Sequence, residues 1–198
     1  MSTGFHFAYK KAAQALNYFA IQNGGEIDKL HALKLVFFAD RYHLRKYGRP
    51  ITNDQYWAMQ FGPVASGVKE LFELDSLSHD ERHYAEGLLT KGSKEYSVRS
   101  VAVVDTSVFS QSDRDALLFA WATFGKSPKI VEKTHLYPEW KRHEAAIVGG
   151  TTRVPMSYYD FLEDPPTGVN PCHNLSDEER QARREQLREM EDVAALWS

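Results

Sequence analysis

The chain has 198 residues, 42% hydrophobic and 13% aromatic, which is enough apolar side chain to bury one core without staples. Its 24 basic and 27 acidic residues leave a formal charge of −3, so the global basic excess of a nucleic-acid or anionic-membrane binder is missing. Cys172 is the sole cysteine and has no internal disulfide partner, no apolar run approaches the roughly 20 residues of a membrane span, and the first residues lack a signal-peptide pattern; a cytoplasmic protein is expected.

A first helix over residues 5–22 places Phe5, Ala8, Tyr9, Ala12, Leu16 and Phe19 on one face and Lys10, Gln14 and Asn17 on the other, and Gly24-Gly25 ends it. Its alanines suit the close approach of an antiparallel partner. That partner is a second helix from residue 30 to 47, with Leu30, Leu33, Val36, Phe37 and Leu44 on one apolar arc and Leu35, Phe38 and Tyr42 covering much of the opposite side. Such a helix should be central. Asp40 falls inside the arc, where a carboxylate needs hydrogen bonds or a cation, and Arg41 and His43 are the nearby candidates. Arg45 and Lys46 in the last turn, Gly48 and then Pro50 form a stop signal.

Residues 55–61, QYWAMQF, read as a strand between Asn53-Asp54 and Gly62-Pro63, and a helix should follow over 66–74. Residues 83–90 and 95–104 read as a hairpin closed by Lys91-Gly92-Ser93-Lys94. A helix is expected from Ser112 as cap to Gly125, Ser127-Pro128 is another start signal, and Pro138 interrupts the pattern before a short helix through Ala146. The composition then turns linker-like over 163–175, and a last helix opens with a Ser176/Glu179 capping box, a Glu179–Arg183 pair and an apolar stripe of Leu187, Met190, Ala194 and Trp197. The stripe suits docking back on the domain or serving as a partner-binding arm. These features predict an α+β fold, mainly α: a compact helical domain over 5–162 with a small antiparallel β element, a linker over 163–175 and a C-terminal helical tail over 176–198.

Chemistry is sparsely signalled. His79 and His83, with Asp80, Glu81 and Glu86 nearby, lack both cysteine ligands and the HExxH order, so no metal site is expected. His135, Glu139 and His143 recur every four residues, but Pro138 breaks the helix that would align them. An Asp40–His135 pair would lack a nucleophile, there being no GxSxG elbow, and no P-loop or GxGxxG supports nucleotide binding. Tyr56, Trp57 and Phe61 alternate across a strand, so one side should join the core and the other offer aromatic anchors to a partner.

The second helix, the run YGRPIT at residues 47–52, FGPV at 61–64, and Thr134-His135 with Pro138 and Trp140 together resemble the signature of the Panacea domain of SocA-like antitoxins, over roughly residues 10–145. One departure follows Val64, where Ala65-Ser66-Gly67 stands in place of a Pro-Ser-type continuation. The resemblance implies an antitoxin that binds and neutralises a small toxin encoded beside it, with no catalytic residue, cofactor or metal. Delivery of the bound toxin to the ClpXP protease is its second implication. Asp40, His43, Gly48, Pro50, Gly62, Pro63, Thr134, His135, Pro138 and Trp140 are then expected to be structural motif positions, and Tyr56, Trp57 and Phe61 the toxin-contacting candidates. The alternative from another class is a hydrolase or metal enzyme using Asp40, His43 or His135.

Overall fold

In the computed structural model, which describes residues 6–196, the chain runs α1 (Tyr9–Gln22), β1 (Glu26–Asp28), α2 (Lys29–Tyr47), β2 (Tyr56–Met59), β3 (Gly62–Ala65), α3 (Ser66–Glu73), α4 (His79–Glu86), β4 (Leu89–Lys91) and β5 (Ser97–Ser100). It continues through α5 (Gln111–Phe124), α6 (Ile130–Thr134), α7 (Pro138–Lys141), α8 (Glu144–Val148), β6 (Arg153–Pro155) and α9 (Asp177–Ala195). The fold is α+β and mainly α.

Helix α2 is the axis. The Asp28 carboxylate accepts from the His31 amide at its start, and Gly48 stops it in the left-handed region at φ 82° with its N–H on the Leu44 carbonyl, as the sequence predicts. Phe37 meets Tyr56, Tyr137 and Phe161 edge-on, while Phe38 stacks on Phe124 at 3.7 Å, so aromatic rings enclose the helix from several elements. Leu30 departs from the expected arc: in the first turn, at the rim of a groove, it is 38% exposed.

Helix α1 packs against α2 and α3 and buries the small residues Ala12, Ala13, Ala15 and Ala20; Phe5 lies outside the described residues. Gln14 and Asn17 are buried rather than wet. The segment after β5 crosses that side, so Asn17 donates to the Ala102 carbonyl at 3.0 Å, and Gln14 donates to the Tyr84 hydroxyl and accepts from the Asp105 amide, both at 3.1 Å.

Two three-stranded antiparallel sheets flank the helices, in the orders β1-β5-β4 and β3-β2-β6. Strand β1 has no counterpart in the sequence reading, because three residues are too few to show alternation. The expected hairpin is β4–β5, shortened because residues 83–86 belong to α4, which Ser78 and Glu81 cap reciprocally. Gly62-Pro63 does more than end a strand: it opens β3, with Met59 opposite Gly62 across the Gln60-Phe61 turn. Proline is tolerated there because β3 is an edge strand. Helix α3 begins at Ser66 despite the departure after Val64, since the Asp54 carboxylate accepts from the Gly67 and Val68 amides at 3.0 and 2.8 Å.

Ser110, not Ser112, caps α5, through a reciprocal bond with Asp113. Ser127-Pro128 lies in a turn ahead of α6, and the helix expected through Ala146 is split into α7 and α8. Glu179 caps α9 with Ser176, whereas Arg183, expected as its ion-pair partner, donates instead to the Arg45 and Lys46 carbonyls at the end of α2, at 3.2 and 2.6 Å. Leu187 of α9 is fully buried, Met190 and Ala194 are half-buried, and Trp197 lies outside the described residues.

Candidate functional site

The motif residues converge in two places. At the first, Asp40 is fully buried and accepts from the Ile51 amide at 2.7 Å, the Thr52 amide at 3.1 Å, the Tyr56 hydroxyl at 2.9 Å and the Thr52 hydroxyl. Burial drives its carboxyl upward while these donors oppose the shift. Neither Arg41 nor His43 is its partner, contrary to expectation: four neutral donors from the YGRPIT loop and β2 take the place of a cation. His43 faces the other way, with Nδ1 on the Arg49 carbonyl at 2.7 Å and Nε2 near Ser112 Oγ at 2.9 Å and Asp113 Oδ1 at 3.2 Å. Asp113 also receives Lys11 at 2.6 Å and Arg49 at 2.9 Å. Burial alone would raise that carboxyl, but the donors surrounding it, His43 and Lys11 first, hold it far below the usual range. Asp40 on one side and the His43–Asp113 group on the other thus clamp the loop carrying Gly48 and the buried Pro50.

At the second, FGPV meets the Thr-His-Pro-Trp element. Gly62 has φ 91°, and a Cβ there would collide with the Thr134 hydroxyl, which itself donates to the Val131 carbonyl at 2.6 Å. Lys34 reaches up from α2 to donate to the Pro63 carbonyl at 2.6 Å; burial brings its pKa down to about 7. The His135 ring stacks on Trp140 at 3.7 Å with the planes 9° apart, and Trp140 Nε1 donates to the Met59 carbonyl at 2.9 Å. Pro138 occupies the first turn of α7, pre-set for a helix start. Burial, then the nearby Lys34 ammonium, lowers the His135 pKa, and His135 Nε2 has no hydrogen-bond partner among the described residues.

These contacts form the wall of a groove of about 770 Å³ between the β2–β3 turn and α8, lined by Leu30, Met59, Phe61, His135, Trp140 and Val148 among others. Phe61 is 55% exposed at its lip. Trp57 is half-buried on the same face of β2 as Met59, with the Arg153 guanidinium 4.7 Å from its ring centroid. Tyr56 is 2% exposed with its hydroxyl on Asp40, which removes it from the accessible set and corrects its assignment as an anchor. A second cleft, about 920 Å³, separates Tyr47, Gly48 and Arg49 from Met190 and Val193 of α9.

Asp40 and His43 hydrogen-bond to different partners, His135 stacks on Trp140, and no bond joins any two of the three among the described residues. The His79 and His83 rings stand 6.4 Å apart on an exposed helix face, and no group of three His, Cys, Asp or Glu side chains suited to a metal occurs among the described residues. Sequence reasoning missed a buried charge network. Arg41 lies with Nε 3.3 Å from Glu139, and both side chains are fully buried. Burial pushes the Glu139 carboxyl up to about 7, the Arg41 charge opposing. Arg41 also donates to the Phe161 and Glu163 carbonyls, and Arg45 to those two, to Asp164 and to the His173 carbonyl. Two arginines four apart inside an otherwise oily helix are the available signal, but the sequence offers Arg41 as a partner for Asp40 and Arg45 as charge for the helix end.

No helix among the described residues is long and apolar enough to cross a membrane. No curated protein and no solved structure matches the chain. A family model described as antitoxin SocA-like, Panacea domain, matches residues 33–141. That span takes in more than half the chain, including most of α2, the clamped loop, the β2–β3 hairpin and the His135–Trp140 stack, and on it the chain belongs to the Panacea-domain family of SocA-like antitoxins.

Proposed function

We propose that the protein neutralises a cognate small toxin in the cytoplasm by direct protein–protein contact, without catalysis, cofactor or metal. The observation that carries this reading is how the motif side chains are used: Asp40, His43, Thr134 and Trp140 are all engaged in internal bonds, and what the motif leaves accessible is a groove lined by Trp140, His135 and an exposed phenylalanine. Such a surface suits recognition, in which buried aromatic anchors dominate the energy. The test mixes the purified chain with the product of the adjacent short reading frame in chelator-containing, nucleotide-free buffer, read by calorimetry. A stable complex is expected, with an interface on the order of 1,200–2,000 Å². Absence of binding, together with chemical alteration of the toxin in a metal-supplemented assay, would replace this reading with the enzymatic one.

A second reading keeps the complex and adds delivery to ClpXP. The attachment of α9 favours it: one buried leucine and a set of arginine contacts hold a terminal helix that releases more readily than the aromatic core. Neutralisation that persists in cells lacking the protease supports occlusion alone; neutralisation lost there, with toxin loss restored by the protease, supports delivery.

A further inference from the structure

We infer that the groove between the β2–β3 turn and α8 is the toxin-docking site, and that its occupant is an acidic segment presenting an apolar side chain. This rests on the direct-binding reading above. Two observations define the occupant. The first is Phe61. It sits in a two-residue hairpin turn, where folding favours Asn or Gly; it is 55% exposed and makes no ring contact among the described residues. The fold therefore does not require this aromatic. It lines one groove of about 770 Å³ with Leu30 and Val148, the latter 80% exposed.

The second observation is charge. The molecule as a whole is negative, at −3, yet the surroundings of this groove carry a positive excess. Lys29 and Lys69 share the single Glu73 carboxylate. Glu132 and Glu144, the carboxylates nearest His135, are each held by a lysine, at 3.4 Å from Lys129 and 2.7 Å from Lys141. Arg153, opposite Met59 in the sheet, has no ion pair among the described residues and lies over Trp57. Carboxylates flanking an inserted apolar side chain would meet Lys69 and Arg153, while the side chain packed on Phe61 and Trp140. Complementary charge of this kind sets orientation and speeds encounter, and the desolvated apolar centre supplies most of the affinity.

The experiment uses the full-length chain and the small protein encoded beside it, with affinity measured at low and high salt. Phe61→Asp and Val148→Asp should each weaken binding at least about 30-fold, as loss of a central anchor does, with unchanged melting curves. Lys69→Glu and Arg153→Glu should weaken it about 5-fold each and flatten the salt dependence, because the wild-type attraction is screened. Val193→Asp, in the α9 cleft, should bind as wild type does. If the wild-type proteins do not associate, the direct-binding reading falls and the docking site with it. If they associate but Phe61→Asp and Val148→Asp bind as wild type does, the groove is not the site and the reading stands. If those two fail while the charge variants and salt have no effect, the acidic character of the occupant is wrong.

Discussion

Two charged residues of α2 meet burial in opposite ways. Asp40 is given four donors, so Asp40→Ala should cost on the order of 1–3 kcal/mol by leaving the Ile51 and Thr52 amides and two hydroxyls without their acceptor. A denaturant midpoint equal to wild type would contradict that role. Lys34 has one carbonyl, and its pKa falls from 10.5 to about 7 on folding. Above the folded value the native state has released a proton that the unfolded chain keeps until about its own 10.5, so stability should rise with pH across that window. Urea midpoints taken at about pH 6 and about pH 9.5 should differ in that sense for wild type and much less for Lys34→Met. An equal pH response in the two proteins would show that Lys34 is not the group responsible. That Asp40 is buried was legible, because it interrupts an apolar arc. Its partners were not, because residues 51–56 return to it by tertiary folding that no local pattern encodes.

At the scale of elements, legibility follows length and punctuation. Helix α2, with its long apolar run and Gly48 stop, could be read directly, as could α3 and the β4–β5 hairpin. Strand β1 could not, being three residues long, and Gln14 and Asn17 looked exposed because what covers them comes from beyond β5. Ser112 reads as a cap from its place directly before Asp113, whereas the structure uses Ser110, three residues before Asp113, which exchanges bonds with it. Of the site, the motif turns were legible, but the groove was not, since it exists only once FGPV and the His135–Trp140 stack meet. Helix α9 was legible by its capping box, and its attachment is testable. Removing residues 176–198 should leave a cooperatively folding domain with a lowered melting midpoint, the buried Leu187 alone contributing about 1.5–3 kcal/mol. A broad, non-cooperative melt would instead make α9 part of the core.

For the whole molecule, the positive surround of the groove on a net-negative protein predicts that association with the toxin slows and weakens as salt rises. Stopped-flow association rates at two ionic strengths check this; a salt-independent rate would point to a purely apolar encounter. The Arg41–Arg45 network bears on something else, the order in which the protein is made. Both guanidiniums sit in α2, yet apart from Glu139 beside Arg41 their carbonyl and carboxylate partners lie between Phe161 and His173. The nascent central helix therefore carries Arg45 without a partner, and Arg41 with Glu139 alone, until residues 161–173 have emerged. Leaving such charges buried without partners is among the costliest defects a fold can carry. A chain terminated after Leu162 should be degraded or insoluble, whereas one terminated after Leu175 should fold, which pulse-chase proteolysis would distinguish. On this account translation itself acts as a checkpoint: synthesis interrupted before residue 173 yields no folded domain, because the buried arginines still lack partners.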